Sequence, residues 1–340
     1  MAKKIKNKEL RRKVDTRDFV KKTGRDKFWK LLQKQRDLIT DKKTGGIRKE
    51  FLARVKCVIC KKDDSEKIFH GKGFDFVRCK KCGLIYTNPR MKEEKVEKLY
   101  RGEAPVDVWV DVLTSPIQME YDKKKFDTRL AILEKYVKKG KILDIGCSIG
   151  HFLKIAEKRG WDPYGLELNK RAANYARQKF RLKNIKEVIL EKAGFPANYF
   201  SAAGMWGVLE HILNPGSVLK ELHRVLKPGG VVIFSVPNAG SLAARILQEK
   251  TSCFDGTVHL WLYTEETLRK LLKKMGYKVL EISSEQPELD TILNYLDYQH
   301  PYLGRSRLVL DKKLKRDLEN IILESNMGYK LIVIAQKPKK

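Results

Sequence analysis

The chain has 340 residues, 42% of them hydrophobic and 34% charged, with 72 Lys and Arg against 42 Asp and Glu for a formal net charge of +30. That length and apolar content suit a soluble globular protein with one large α/β domain and a smaller one. The longest apolar runs, such as residues 229–237, fall far short of the roughly 20 residues that cross a bilayer, and the first residues lack a signal peptide's apolar core, so membrane-spanning and exported classes are set aside and a cytoplasmic location is expected.

The excess charge is uneven. Residues 1–56 hold 21 Lys and Arg against 7 Asp and Glu. Clustered cations gain affinity for phosphates by releasing counterions, which makes nucleic acid a candidate partner of this arm. Lysines greatly outnumber arginines, whereas specific phosphate recognition favours the guanidinium fork, so a general lysine bias of the source proteome accounts for the charge as well. Within the arm, taken as residues 1–50, Phe28, Leu31, Leu32, Gln35 and Leu38 follow helical spacing and predict an apolar stripe ringed by Lys30, Lys34 and Arg36. Such a stripe docks on its own protein, with membrane-surface contact as the alternative. Residues 41–50 read as a hinge.

Next come Cys57 and Cys60 in "CVIC", a gap of 18 residues, and Cys79 and Cys82 in "CKKC". Two thiolates separated by two residues can bind one ion from a single knuckle, and two knuckles close a tetrahedron, so the spacing predicts a zinc ribbon. Four sulfur ligands leave no open position for water, which makes this zinc structural. Disulfides are the weaker explanation without an export signal. Cys147 and Cys253 have no partner pair. With a mixed segment to Ser115, the module and its linker take residues 51–115, leaving 116–340 for the large domain.

In that domain a helix is predicted over residues 126–140, closing on Gly140. Strands then alternate with helices: strands at 141–146, 162–168, 185–190, 202–208, 230–237, 277–283 and 329–337, helices at 151–159, 170–179, 215–226 and 264–275. This rhythm implies βαβ units around a mostly parallel sheet with helices on both faces.

The first strand runs into the turn "GCSIG", residues 146–150. Open α/β sheets bind ligands at the carboxyl ends of their strands, and glycine there lets backbone approach the ligand; Gly146 and Gly150 meet that need. About twenty residues further on, Glu167 ends the second strand, where a carboxylate can accept hydrogen bonds from both ribose hydroxyls of an adenosine. Ser148 stands where the second glycine of a dinucleotide fingerprint would be, which disfavours a pyrophosphate. S-adenosylmethionine has no phosphates and asks only that the turn wrap its methionine and ribose portions.

The stretches "ILDIGCSIGHFL", "GLELNKRAANYAR", "GVLEHILNPGSVLKELHRVLKPGGVVIFSVPN" and "HLWLYTEETLRKLLKKMGY", preceded by "CKKCGLIYTNPR", together resemble the class I S-adenosylmethionine-dependent methyltransferases that carry an amino-terminal zinc-binding knuckle. The resemblance implies a Rossmann-like seven-stranded sheet whose last strand is antiparallel, with Asp144, Gly146, Cys147 and Gly150 lining the cofactor, Glu167 and Leu168 at its ribose, and Leu190 and Glu191 near the adenine. It supports, more loosely, methyl transfer to oxygen or carbon of a small molecule or a carrier-linked sugar.

Methyl transfer from a sulfonium is an in-line displacement, so a nucleophile must be aligned and, for most oxygen and carbon acceptors, a proton removed. His211, just beyond the fourth strand, is chosen as the base because imidazole is the side chain suited to proton transfer near neutral pH, and Glu210 either orients it or acts itself. The bland alternative is that the pair anchors the following helix. His259, ahead of a helix expected to cover the site, is a second candidate for substrate contact. The chain departs from the family pattern at Ser201 and Gly207, which keeps a non-catalytic binding role among the readings, alongside an RNA methyltransferase that grips its substrate with the arm and zinc ribbon.

Overall fold

A computed structural model describes residues 16–102, 104–298, 300–302 and 310–339; residues 1–15 of the basic arm lie outside the described residues. The described arm forms two helices, α1 (Thr16–Thr23) and α2 (Arg25–Ile39), with Gly24 at φ 77° making the corner. Leu32 and Arg36 are buried on α2, and Phe28 packs on Trp109 with ring centroids 4.8 Å apart. The stripe therefore docks on the protein itself. Leu38, expected on it, is 76% exposed: six residues on from Leu32 it has turned roughly 240° around the helix and left that face.

The cysteine module contributes β1 (Leu52–Ala53), β2 (Ser65–Gly71), β3 (Phe74–Cys79), β4 (Ile85–Thr87) and β5 (Arg90–Met91). β1 pairs with β5, while β2, β3 and β4 form an antiparallel meander. The segment read as mixed is helical, α3 (Glu93–Gly102) and α4 (Ala104–Thr114), followed by α5 (Pro116–Leu133). The sequence pattern started this last helix at residue 126 because its earlier turns bury Gln118 and Asp122 rather than apolar groups. Periodicity of apolar residues cannot find a face built that way.

The large domain continues with β6 (Lys141–Ile145), α6 (His151–Lys158), β7 (Asp162–Leu166), α7 (Lys170–Gln178), β8 (Ile185–Lys186), β9 (Phe200–Trp206), α8 (Pro215–Val225) and β10 (Leu226–Pro237). After these come α9 (Leu242–Leu247), β11 (Trp261–Leu262), α10 (Glu265–Lys274), β12 (Lys278–Glu285), α11 (Leu289–Tyr298), α12 (Lys312–Glu324) and β13 (Lys330–Gln336). Seven strands form one sheet in the order β12-β13-β10-β9-β6-β7-β8. Only β13 runs antiparallel to its neighbours, as the resemblance implied. Central β6 and β9 read as near-continuous buried runs, the pattern of strands covered on both faces.

Two features of this topology place the site. The chain moves outward from β6 to β7 and β8, then crosses to β9 on the other side of β6, so a switch point opens at the carboxyl ends of β6 and β9. The second feature is unexpected: β11, from the large domain's part of the chain, pairs antiparallel with β4 and completes the small sheet as β11-β4-β3-β2. The cysteine module is thus built from two chain segments. Among the described residues no helix is long and apolar enough to cross a membrane.

Candidate active site

The turn after β6 uses left-handed backbone three times, at Gly146 (φ 70°), Ser148 (φ 48°) and Gly150 (φ 78°). A side chain at Gly146 would meet Val208 at 2.7 Å, so glycine there lets this turn lie against the turn after β9. Gly150 does not line the cavity; a Cβ there would press on Leu182 and Ala176, at 2.6 and 2.9 Å. Its role is packing of α6 against the neighbouring segment. Gly150→Ala is therefore expected to lower stability by about 2–3 kcal/mol, from overpacking on a positive φ, measured by urea denaturation of the ligand-free protein.

Glu167 fastens the two turns together. Its carboxylate accepts the Ser148 N–H at 2.8 Å and the Asn169 N–H at 2.7 Å. Burial pushes its pKa up, with the backbone donors pulling the other way. Asp144 is 1% exposed and its Oδ1 has no hydrogen-bond partner; burial, then the nearby Glu167 charge, pushes its pKa well up. Buried polar groups are normally paired, so an orphaned carboxyl oxygen beside a half-satisfied carboxylate marks a place for a donor-rich ligand. Both acids, with Gly146, Cys147, Leu168, Leu190 and Glu191, line a cavity of about 1080 Å³.

The turn after β9 carries Glu210 and His211. Glu210 is 2% exposed with Oε2 unpartnered, and burial pushes its pKa up, the His211 charge opposing. His211 Nδ1 lies 2.6 Å from the Val258 carbonyl and its Nε2 lies 3.8 Å from Glu210 Oε1. A carbonyl can only accept, so Nδ1 carries a proton, and in the neutral tautomer the lone pair is at Nε2. His259 sits beside it, ring centroids 5.1 Å apart, with Nδ1 2.8 Å from the Cys253 carbonyl. Burial, reinforced by His211, pulls the His259 pKa down to about 3, which keeps that ring neutral at ordinary pH. The structure thus brings the three residues singled out in sequence to one wall of the same cavity that Asp144 and Glu167 line.

The cysteine module clamps this wall. Thr87 donates from N–H to the Leu260 carbonyl at 3.2 Å and from Oγ1 to the His259 carbonyl at 3.2 Å. Arg90 donates to the Leu213 carbonyl at 3.1 Å, and Trp261 Nε1 to the Ile212 carbonyl at 2.8 Å. The module's four sulfurs lie within 4.8 Å of one another, with Cys57–Cys82 and Cys60–Cys79 each at 3.4 Å. That is too long for a disulfide, about 2.05 Å, and close to the roughly 3.8 Å edge of a tetrahedral zinc–thiolate site. The donor set fits a single closed ion.

Several residues of the cavity escaped the sequence reading. Tyr100 from α3, with a buried unpartnered hydroxyl, has its ring 5.7 Å from that of His211. Lys330 at the start of β13 approaches the space above Gly207: a Cβ there would lie 3.9 Å from its Nζ and 3.4 Å from Glu210 Oε1. Asp255 lies 3.8 Å from Arg36 and 4.0 Å from Lys72, fixing the loop ahead of His259 to the arm and to the small sheet. Arg25, Phe28 and Trp29 of the arm close the same cavity. The arm residues come together with the site only through long-range packing: helical spacing placed Phe28 on an apolar stripe, but nothing local tied that stripe to this cavity. Gly207, noted in sequence only as a departure from the family pattern, borders the space that Lys330 and Glu210 flank.

A family model described as a methyltransferase domain matches residues 117–282. In sequence the chain is 29% identical over 108 residues to the ubiquinone biosynthesis O-methyltransferase of Acinetobacter baylyi, covering 29% of this chain and 44% of that one. It is 33% identical over 106 residues to the malonyl-acyl-carrier protein O-methyltransferase of Serratia marcescens, covering 30% and 40%. The chain spans less than half the length of these relatives. In structure it is similar to magnesium protoporphyrin IX methyltransferase of Synechocystis, solved with bound SAH, with a TM-score of 0.50 and 14% identity over 72% of this chain and 100% of that one; this likeness concerns the fold alone.

Proposed function

We propose that this chain, whose residues 117–282 match a methyltransferase domain, transfers a methyl group from S-adenosylmethionine to oxygen or carbon of a small molecule or a carrier-linked sugar. One observation carries this reading: a carboxylate hung from the glycine turn at Glu167 and an orphaned buried oxygen at Asp144 share one cavity with Glu210, His211 and His259. S-adenosylmethionine, when bound, supplies an electrophilic methyl on a sulfonium. Glu167 retains acceptor capacity for the ribose diol after taking its two backbone N–H groups, and Asp144 Oδ1 suits the ammonium of the methionine portion. Leu190 and Glu191, which line the same cavity, would lie near the adenine.

His211 presents Nε2 to the cavity and is the residue proposed to take the acceptor's proton, with the Val258 carbonyl fixing the tautomer. Buried Glu210 stabilises the imidazolium that would result, as a carboxylate beside a base does. The division proposed is an arm over residues 1–50, a cysteine module over 51–115 that borrows β11, and a catalytic domain over 116–340. Cys57, Cys60, Cys79 and Cys82 would hold zinc as a structural ion, which keeps β4 and β5 against the catalytic wall.

The reading is tested by supplying labelled S-adenosylmethionine and purified protein to fractionated cell extract. Uptake of label by one fraction, abolished by His211→Ala, is expected; uptake by none would count against it. For the module, metal analysis is expected to give close to one zinc per chain, and strong chelation to lower the melting temperature. A ratio near zero in protein that is folded and active would contradict the assignment.

A further inference from the structure

Beyond the closed cysteine cluster, the described residues hold a second group with ligand-like geometry: one atom each from Glu210, His211 and His259, all within 4.8 Å of one another. From this geometry we infer that Glu210, His211 and His259 form an open site for one divalent transition-metal ion inside the cavity.

The backbone builds the site. Leu260 and Trp261 both donate their N–H to the Glu210 carbonyl, at 2.9 and 3.3 Å, and this seam draws His259 alongside His211. Each imidazole is then locked by a carbonyl at Nδ1, Val258 for His211 and Cys253 for His259, at 2.6 and 2.8 Å. Metal-binding histidines are oriented in this way, with the far nitrogen held by a carbonyl so that the other keeps its lone pair for the ion. Both Nε2 atoms are left to serve as ligands. Glu210 adds a carboxylate whose Oε2 is buried and unpartnered, an arrangement that is costly unless something positive arrives.

The 3.8 Å between His211 Nε2 and Glu210 Oε1 is a few tenths of an ångström beyond the roughly 3.4 Å edge of a tetrahedral site with ligands about 2.1 Å from the ion, a difference that a small side-chain adjustment closes. Two imidazoles and one carboxylate suit Zn²⁺, Mn²⁺, Co²⁺ or Fe²⁺ rather than Mg²⁺ or Ca²⁺, and a three-ligand set leaves coordination positions free. This site therefore differs in kind from the cysteine cluster. Its chemistry, though not its existence, rests on the methyl-transfer reading: an ion here would lower the pKa of an acceptor hydroxyl so that its proton passes to water, in place of proton uptake by His211.

The test titrates Co²⁺ into purified protein whose cysteine site is already loaded with zinc, following heat and the visible absorption of cobalt. Wild type is expected to bind one further ion. Glu210→Gln, His211→Ala and His259→Ala are each expected to weaken that binding at least tenfold, with the zinc content unchanged. Thermal melting and S-adenosylmethionine titration of each variant show that the fold and the cofactor site survive. No further ion in wild type, or a further ion indifferent to all three substitutions, would overturn the inference. Failure of the methyl-transfer reading looks different, since cobalt would still bind while no extract fraction took up label.

Discussion

Glu167→Ala is expected to weaken S-adenosylmethionine binding by about 10²- to 10³-fold, the loss of two charge-assisted hydrogen bonds at roughly 1.5–3 kcal/mol each less some compensation by water. The same carboxylate holds the Ser148 and Asn169 N–H groups, so the variant also leaves two backbone donors unpaired and should melt earlier. Glu167→Gln keeps an acceptor for one donor and should fall between the two. The pH dependence has a definite sign. Burial raises the Glu167 pKa above the usual carboxylate range, and only the ionised form accepts from every donor, so affinity should decline as pH falls, starting at a higher pH than for an exposed glutamate. Isothermal titration across pH measures both effects. Unchanged affinity in Glu167→Ala would remove the carboxylate from the cofactor site.

The second large effect belongs to His211. His211→Ala is expected to lower turnover by about 10²- to 10⁴-fold, the range for loss of a positioned proton acceptor, while S-adenosylmethionine affinity stays within about twofold of wild type. The separation follows from placement: His211 lies beyond β9 and is held by Val258, whereas Asp144 and Glu167 end β6 and β7. A ligand role for the imidazole predicts the same loss, and the two roles part only on metal content. Single-turnover kinetics with the labelled acceptor fraction checks the result. Full turnover in the variant would reduce the histidine to an anchor for its helix.

The catalytic elements were legible in sequence where local physics fixed them. Strands β6, β9 and β10 are buried on both faces and so read as apolar runs; the caps that start α8 and α10, Asn214 and Thr264, are local too, though the sequence reading did not use them. Both cysteine knuckles were legible for the same reason, since each is local. β11 was not, because two residues carry no periodicity and their partner, β4, lies far back in the chain. The third strand was read too long: pairing stops at Lys186, and the chain then turns through Leu190–Lys192 to present Glu191 to the cavity. Asp255, joined to Arg36 and Lys72, exists as a feature only after the arm has docked.

The most direct measurement is calorimetric titration of the purified protein with S-adenosylmethionine, repeated with S-adenosylhomocysteine as competitor. One site per chain, competed by the product and lost in Glu167→Ala, is the predicted result. A folded protein that gives neither heat nor a thermal shift at millimolar ligand would contradict it.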